Sequence, residues 1–237
     1  NLEVTARRLM WGKGLNAGQT CLAPNHLLVQ ENIKADLIKQ LKKAFLDFYG
    51  SKPLQSNDLG QIVNEKHFSR LIKLLDQAKG KNNIFFGGEV NPEKRIITPA
   101  LIEVLDLEDP LIKEELFGPL LPILTFSDIR DAIKKINRES SPLAIYIFGG
   151  REEDQQTIIK NTRSGGVCFN DVIMQAGIPE MPFGGIRESG MGRYHGFAGF
   201  KTFSNERSIL KRPFFLDFKL RYPPYNLSLN LLKKLLS

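Results

Sequence analysis

The sequence predicts an α/β fold of three layers. Stretches with helical apolar spacing alternate with short apolar runs of strand length along the 237 residues, the pattern that builds helix layers on a parallel sheet. The run over residues 143–148 is continuously apolar, which favours a strand that is central in such a sheet. A hydrophobic content of 42% is enough for one substantial core.

The individual elements follow from periodicity and capping residues. Asn64 precedes an apolar stripe at helical spacing that contains Phe68 and Leu71, so a helix is predicted to begin there. Gly50 and Gly80 are typical residues for the ends of two helices. The helices are predicted after residues 32, 64 and 128 and over 152–162, and the strands over 27–30, 84–86, 96–104 (broken by Pro99), 122–126, 143–148 and 167–169.

Charge and cysteine content narrow the function classes. The formal net charge is +7, but the lysines are dispersed over helix faces, which indicates solvated surface rather than a nucleic-acid site. The two cysteines, Cys21 and Cys168, favour a reducing compartment over a disulfide framework, so we expect a cytoplasmic protein. No Cys/His spacing suggests zinc, so no metal is expected. No apolar run approaches the roughly 20 residues of a membrane-spanning helix.

Cys21 is the strongest candidate for chemistry. It lies at a predicted helix-to-strand corner, where Gly18 permits close approach of another group to the backbone. A thiol there can attack a carbonyl carbon, with backbone N–H groups available for the oxyanion. Taken alone, the residue is more readily interpreted as an inert buried cysteine, which is the commoner role of cysteines. A cysteine protease or thioesterase using His26, His67 or His195 as base lacks a recognisable third group.

Two later segments favour a catalytic over an inert Cys21. Residues 16–21 read NAGQTC, residues 113–119 read KEELFGP, and residues 182–193 read PFGGIRESGMGR. In this order and spacing the three resemble the aldehyde dehydrogenase superfamily. The stretches RYHG at 193–196, KTFS at 201–204 and RYPPY at 221–225 are similar to class 3, the branch that contains the fatty aldehyde dehydrogenases.

The resemblance implies an activity and a cofactor. It implies oxidation of a medium- or long-chain aliphatic or an aromatic aldehyde to a carboxylic acid with NAD or NADP, and Cys21 as the nucleophile that forms a thiohemiacetal and then a thioester. Glu115 matches a residue that binds a ribose of the nucleotide, and Phe117 one that packs at its nicotinamide end. Without the resemblance, Glu115 would be read as solvated and Phe117 as core. Structural support of the site is expected from Asn16, Gly18, Gln19, Asn170, Gly184 and Gly185.

The resemblance also divides the chain. Residues 1–200 correspond to the catalytic domain, 201–213 to an oligomerisation strand and 214–237 to a C-terminal tail, while the nucleotide-binding half of the family is expected upstream of this chain. The stretch 202–210 is expected to add to a neighbouring subunit's sheet in a homodimer, although it could instead close its own sheet. Residues 227–236 predict an amphipathic helix that packs over a substrate entrance or makes weak membrane-surface contact. The alternative function is an inactive half-enzyme that folds or pairs without turnover.

Overall fold

The computed structural model describes residues 1–225, 229 and 233. The chain forms two compact units, Asn1–Phe203 and Ser204–Ser237. The helices are α1 (Leu2–Gly14), α2 (Lys34–Tyr49), α3 (Glu65–Gly80), α4 (Pro110–Lys113), α5 (Ile129–Arg138), α6 (Glu152–Asn161) and α7 (Gly196–Thr202). The strands are β1 (Leu27–Gln30), β2 (Ile84–Phe86), β3 (Val90–Asn91), β4 (Ile96–Ile97), β5 (Ala100–Glu103), β6 (Leu120–Phe126), β7 (Ala144–Ile147) and β8 (Gly166–Phe169).

The largest sheet has four strands in the order β1-β6-β5-β2. β6 is parallel to both of its neighbours, with Leu27 opposite Ile123 in β1 and β6, and with Ala100 opposite Leu120 in β5 and β6. β2 is antiparallel to β5 at the edge. The expected mainly parallel sheet is therefore confirmed.

Helices cover both faces of this sheet, which gives the three layers. Adjacent residues of a strand point to opposite faces, and the core divides accordingly. On one face Ala100, Leu120 and Leu124 pack in one cluster with Leu71 and Leu75 of α3. On the other face Leu101, Leu121 and Ile123 pack with residues of α1 and α2, including Met10, Leu41 and Phe45. A strand buried on both faces needs apolar residues at consecutive positions, which is why β6 begins Leu-Leu-Pro-Ile-Leu.

The apolar run at 143–148 does form a strand, but its predicted central position is wrong for the described residues. β7 pairs in parallel with β8 in a separate two-stranded sheet, with Tyr146 opposite Cys168. Most of β7 is only half-buried. An apolar run indicates that a segment will be buried. It does not indicate how many strands will pair with that segment.

Local signals at helix ends were more reliable. The Asn64 side chain accepts a hydrogen bond from the His67 N–H at 2.9 Å and so caps α3 as predicted. Gly50 follows α2 with a positive φ of 72°. Such ends depend on contacts between near neighbours in the chain, which the sequence displays directly.

The C-terminal predictions have different outcomes. Thr202 ends α7, so the predicted strand cannot start there, and residues 204–210 form no strand within the described chain. Pairing of that stretch with a second subunit stays a prediction. The predicted helix over 227–236 lies outside the described residues apart from Leu229 and Lys233. Among the residues that are described, no helix is long and apolar enough to cross a membrane.

Candidate active site

Cys21 lies in the loop between α1 and β1 and is an exposed residue with a free thiol. Three consecutive residues of this loop, Asn16, Ala17 and Gly18, have left-handed backbone conformations with φ of 51°, 53° and 72°. This conformation is unfavourable for the two residues that carry a Cβ, so the surrounding contacts must hold the loop in place.

Asn16 and Gln19 supply the first of these contacts. The Asn16 amide donates to the Gln19 carbonyl at 3.1 Å, and the Gln19 amide donates back to the Asn16 carbonyl at 3.0 Å. The Gln19 side chain also donates to the Gln61 carbonyl at 3.0 Å and accepts from the Val63 N–H at 2.8 Å. The two side chains expected to support the site therefore close the loop on itself and tie it to the segment before α3.

Lys13, which belongs to none of the three sequence motifs, holds the far side of the loop. Its Nζ donates to the Pro24 carbonyl at 2.9 Å, three residues beyond Cys21, and the side chain is 1% exposed. Burial lowers the pKa of Lys13 to about 7. A signal was present, because Lys13 continues the helical apolar stripe of Ala6 and Met10.

Tyr146 of β7 adds a second unanticipated contact. Its hydroxyl donates to the carbonyl of Leu22, the residue after Cys21, at 2.8 Å and accepts from the Ile173 N–H at 3.2 Å. Burial is the main cause that raises the pKa of Tyr146, which keeps the hydroxyl protonated as a donor. This contact connects the Cys21 loop to the segment that follows β8.

Glu115 and Phe117 lie beside the Cys21 loop, although about ninety residues separate them from Cys21 in sequence. The two segments enter β1 and β6, which are parallel neighbours, so their amino ends meet at the same edge of the sheet. The approach is close, because a Cβ on Gly18 would lie 2.3 Å from the Gly118 carbonyl oxygen. Gly18 is thus needed for its lack of a side chain as well as for its φ.

Side-chain exposure at this segment suits ligand binding. Glu115 is exposed and, within the described part of the chain, makes no hydrogen bond or ion pair. Its neighbour Glu114 instead pairs with Arg70 at 3.3 Å. Phe117 is 38% exposed and has a φ of 45°. A carboxylate can accept two hydroxyl hydrogen bonds and an exposed ring can stack, so the residues present fit the ribose and nicotinamide end of a dinucleotide.

Asn170 does not make the predicted hydrogen bond to the Cys21 loop. Its side chain accepts from the Gly149 N–H at 2.9 Å, and its carbonyl accepts from the Arg8 guanidinium of α1. Asn170 follows β8 with a φ of 54°, and the turn directs its amide toward the end of β7. Its support of the site is therefore indirect.

Gly184 and Gly185 belong to a loop that is packed tightly on itself. A Cβ on Gly184 would lie 2.4 Å from the Gly192 carbonyl oxygen, and one on Gly185 would lie 1.9 Å from that of Ser189. The Arg193 guanidinium donates to the Gly192 carbonyl at 3.0 Å and also to that of Gly185. These contacts give the glycines a structural part in their own loop. Among the described residues, no cluster of His, Cys, Asp or Glu could hold a metal ion.

Comparison with known proteins decides the family. The profile described as the aldehyde dehydrogenase family matches residues 1–209. The chain belongs to the aldehyde dehydrogenase family. Its class 3 resemblance is also supported, since the similar curated proteins include family 3 members.

Individual relatives of this aldehyde dehydrogenase chain are similar over nearly all of it. The dimeric NADP-preferring aldehyde dehydrogenase of Mus musculus is 42% identical over 226 residues, which cover 94% of this chain and 49% of that protein. The 4,4'-diaponeurosporen-aldehyde dehydrogenase of Staphylococcus aureus is 42% identical over 225 residues, covering 95% and 49%. A substrate-bound structure of Staphylococcus aureus AldH matches with a TM-score of 0.87 and 40% identity, covering 100% of this chain and 51% of that one. The chain thus spans about half the length of these relatives.

Proposed function

We propose that this chain supplies the catalytic part of an NAD(P)-dependent aldehyde dehydrogenase, which oxidises an aldehyde to a carboxylic acid. One observation carries the proposal: Cys21, an exposed residue with a free thiol, lies on a loop packed against the segment that bears Glu115 and Phe117. A nucleophile and a nucleotide-binding carboxylate are thereby held at one edge of the sheet. Family membership supplies the reaction class.

In the proposed reaction the Cys21 thiolate adds to the aldehyde carbon and forms a C–S bond. The carbonyl oxygen takes the π electron pair and becomes an oxyanion, for which the backbone N–H of Cys21 is a suitable donor. Bound NAD(P)+ supplies the acceptor for the hydride that leaves the former carbonyl carbon. Cys21 then holds the acyl group as a thioester. Water adds to its carbonyl carbon and the C–S bond breaks, which releases the acid and the Cys21 thiol, and loss of the thiol proton to solvent restores the thiolate.

Glu115 and Phe117 position the nucleotide in this proposal. The Glu115 carboxylate would accept the two hydroxyl hydrogen bonds of a ribose, and Phe117 would pack against the ring attached to it. Lys13 and Tyr146 keep the Cys21 loop in its strained conformation while substrate binds, because each bonds a backbone carbonyl close to Cys21. The name of the mouse relative supports NADP as one of the two possible cofactors.

The finer substrate class, a medium- or long-chain aliphatic or an aromatic aldehyde, is part of the same proposal. It is supported by the class 3 resemblance and by the name of the Staphylococcus aureus relative, which specifies 4,4'-diaponeurosporen-aldehyde. Homodimerisation through 202–210 is likewise proposed, and the word "dimeric" in the mouse relative's name supports it.

A second candidate is a half-enzyme that folds without turnover, and one observation favours it: the chain spans about half the length of its relatives. Formation of reduced nicotinamide from hexanal, hexadecanal or benzaldehyde, with NAD and with NADP, separates the two. Turnover that persists in Cys168→Ser but falls to background in Cys21→Ser supports the dehydrogenase. Turnover that survives Cys21→Ser contradicts the assignment of the nucleophile, and no turnover in the unaltered chain favours the half-enzyme.

A further inference from the structure

Asn25 links the Cys21 loop to both sides of Glu115. Its Nδ2 donates to the Glu114 carbonyl at 3.2 Å, and its Oδ1 accepts from the Leu116 N–H at 2.8 Å. One carboxamide therefore bonds the backbone immediately before and immediately after Glu115. Asn25 itself lies four residues after Cys21 and two before β1.

The backbone around Glu115 leaves its side chain little freedom of direction. Leu116 is fully buried, and Glu114 is extended, with φ of −104° and ψ of 146°. Because successive side chains of an extended segment point to opposite sides, burial of Leu116 directs Glu115 outward. The two Asn25 hydrogen bonds fix the position of this segment relative to the loop that carries Cys21.

A second side chain holds the same segment without reaching the Cys21 loop. Arg70 of α3 pairs with the Glu114 carboxylate at 3.3 Å and donates to the Leu116 carbonyl at 2.5 Å. Arg70 can thus order the segment, whereas Asn25 alone of these two side chains ties it to the nucleophile. This contrast makes Arg70 a matched control.

We propose that Asn25 is a positioning residue that sets the separation between the Cys21 thiol and the Glu115 carboxylate. The inference rests on the proposed function, in which Cys21 reacts while Glu115 holds the nucleotide. Misplacement of reacting groups by about 1 Å can cost on the order of a hundredfold in rate. The Asn25 carboxamide bridges the two segments, so it restricts their relative movement before any ligand binds.

The experiment compares Asn25→Leu, which has a similar size but no hydrogen bonds, with Asn25→Asp, which keeps an acceptor for the Leu116 N–H. Arg70→Met is the control, and Asn25→Ala replaces the leucine variant if that one does not fold. Two measurements are made on this chain: hydrogen exchange of the peptide 114–118 by mass spectrometry, and the rate at which iodoacetamide alkylates Cys21 in a Cys168→Ser background. Neither needs aldehyde or nucleotide, so both report on Asn25 even if the aldehyde dehydrogenase assay fails.

In Asn25→Leu we expect exchange at the Leu116 amide to rise by about tenfold, the loss of one hydrogen bond, and the alkylation rate to change by about threefold or more. Asn25→Asp should restore most of the protection. Arg70→Met should raise exchange in the segment and leave Cys21 alkylation unchanged. Unchanged exchange in Asn25→Leu, or an equal effect of Arg70→Met on Cys21, would overturn the proposal.

Kinetics add a measurement that simple loss of stability would not move. In aldehyde oxidation, Asn25→Leu should lower kcat by about 10- to 100-fold and raise the KM for NAD(P) by a smaller factor, because the groups still bind but are misaligned. Asn25→Asp should recover kcat. Normal kcat in a variant whose segment exchanges faster would refute the positioning role while leaving the proposed function intact.

Discussion

Replacement of Lys13 should make this chain more stable near neutral pH. Lys13 is 1% exposed, and burial lowers its pKa from 10.5 to about 7. At about 1.4 kcal/mol per pKa unit, this fall corresponds to a penalty of about 5 kcal/mol for keeping the side chain in the core. Lys13→Met removes the penalty and keeps the apolar stem, but it leaves the Pro24 carbonyl without its donor, at a cost of about 1–3 kcal/mol. The variant should therefore be more stable by about 2–4 kcal/mol at pH 7.

The pH dependence gives the sharper result. Between about pH 7 and pH 10.5 the unfolded chain holds the Lys13 proton and the folded chain does not, so the free energy of unfolding of the unaltered chain rises with pH in this window. Below about pH 7 both states are protonated and the penalty is constant. The advantage of Lys13→Met should thus shrink by about 2 kcal/mol between pH 7 and pH 9, since folded Lys13 is already half deprotonated at pH 7.

Urea unfolding followed by the fluorescence of Trp11, the single tryptophan, measures this difference at each pH. The exposed Lys66 provides the control, since Lys66→Met removes the same charge from a solvated position. A stability difference between Lys13→Met and the unaltered chain that does not vary from pH 7 to pH 9 would refute the reasoning. So would an equal pH dependence in Lys66→Met.

Two further substitutions probe how the Cys21 loop is held. Gly18 and Gly50 both have φ of 72°, but a Cβ on Gly18 would lie 2.3 Å from the Gly118 carbonyl oxygen, whereas one on Gly50 has nothing within 4 Å. Urea unfolding should show a loss of about 1–3 kcal/mol for Gly50→Ala, whose φ of 72° and ψ of −174° are open almost only to glycine. Gly18→Ala should lose a further ~1–3 kcal/mol from the clash, and equal losses would argue against the close approach. Tyr146→Phe removes the donor to the Leu22 carbonyl, which should lower the free energy of unfolding by about 1–3 kcal/mol and make alkylation of Cys21 faster. Unchanged stability and alkylation would show that the hydroxyl does not hold the loop.

Local features of the fold were predictable because their causes are local. β1 has the predicted bounds 27–30, and Asn64 caps α3, since both depend on residue type and on neighbours a few positions away. The strand at 143–148 was predicted correctly as a strand but not in its place in a sheet, because β7 lies beside β8 alone in the described chain. For the candidate site, the motifs pointed to Cys21 and Glu115, but no short-range pattern could show which contacts hold their segments.

The contacts that hold the site join residues far apart in the chain. Asn25 bonds the backbone 89 and 91 residues away, and Tyr146 bonds the Leu22 carbonyl 124 residues away. For Asn170 a long-range hydrogen bond to the Cys21 loop was expected, but none is made. The turn after β8 directs its amide toward the Gly149 N–H instead. Such partners depend on strand order and on backbone direction after each strand.

By itself the sequence determined the alternation of helices and strands and the caps of α3 and α5, because propensity and periodicity belong to each residue and its near neighbours. It did not mark the start of α2, where Ile33 rather than residue 32 precedes the helix and no side chain caps it. It also offered candidate residues for the chemistry. The tertiary structure alone decided that β1 and β6 are parallel neighbours and that the Cys21 loop packs against the segment that bears Glu115. It also decided that Lys13 is buried at a pKa of about 7. The physical reason is that desolvation and long-range hydrogen bonds exist only once the chain has brought distant segments into contact.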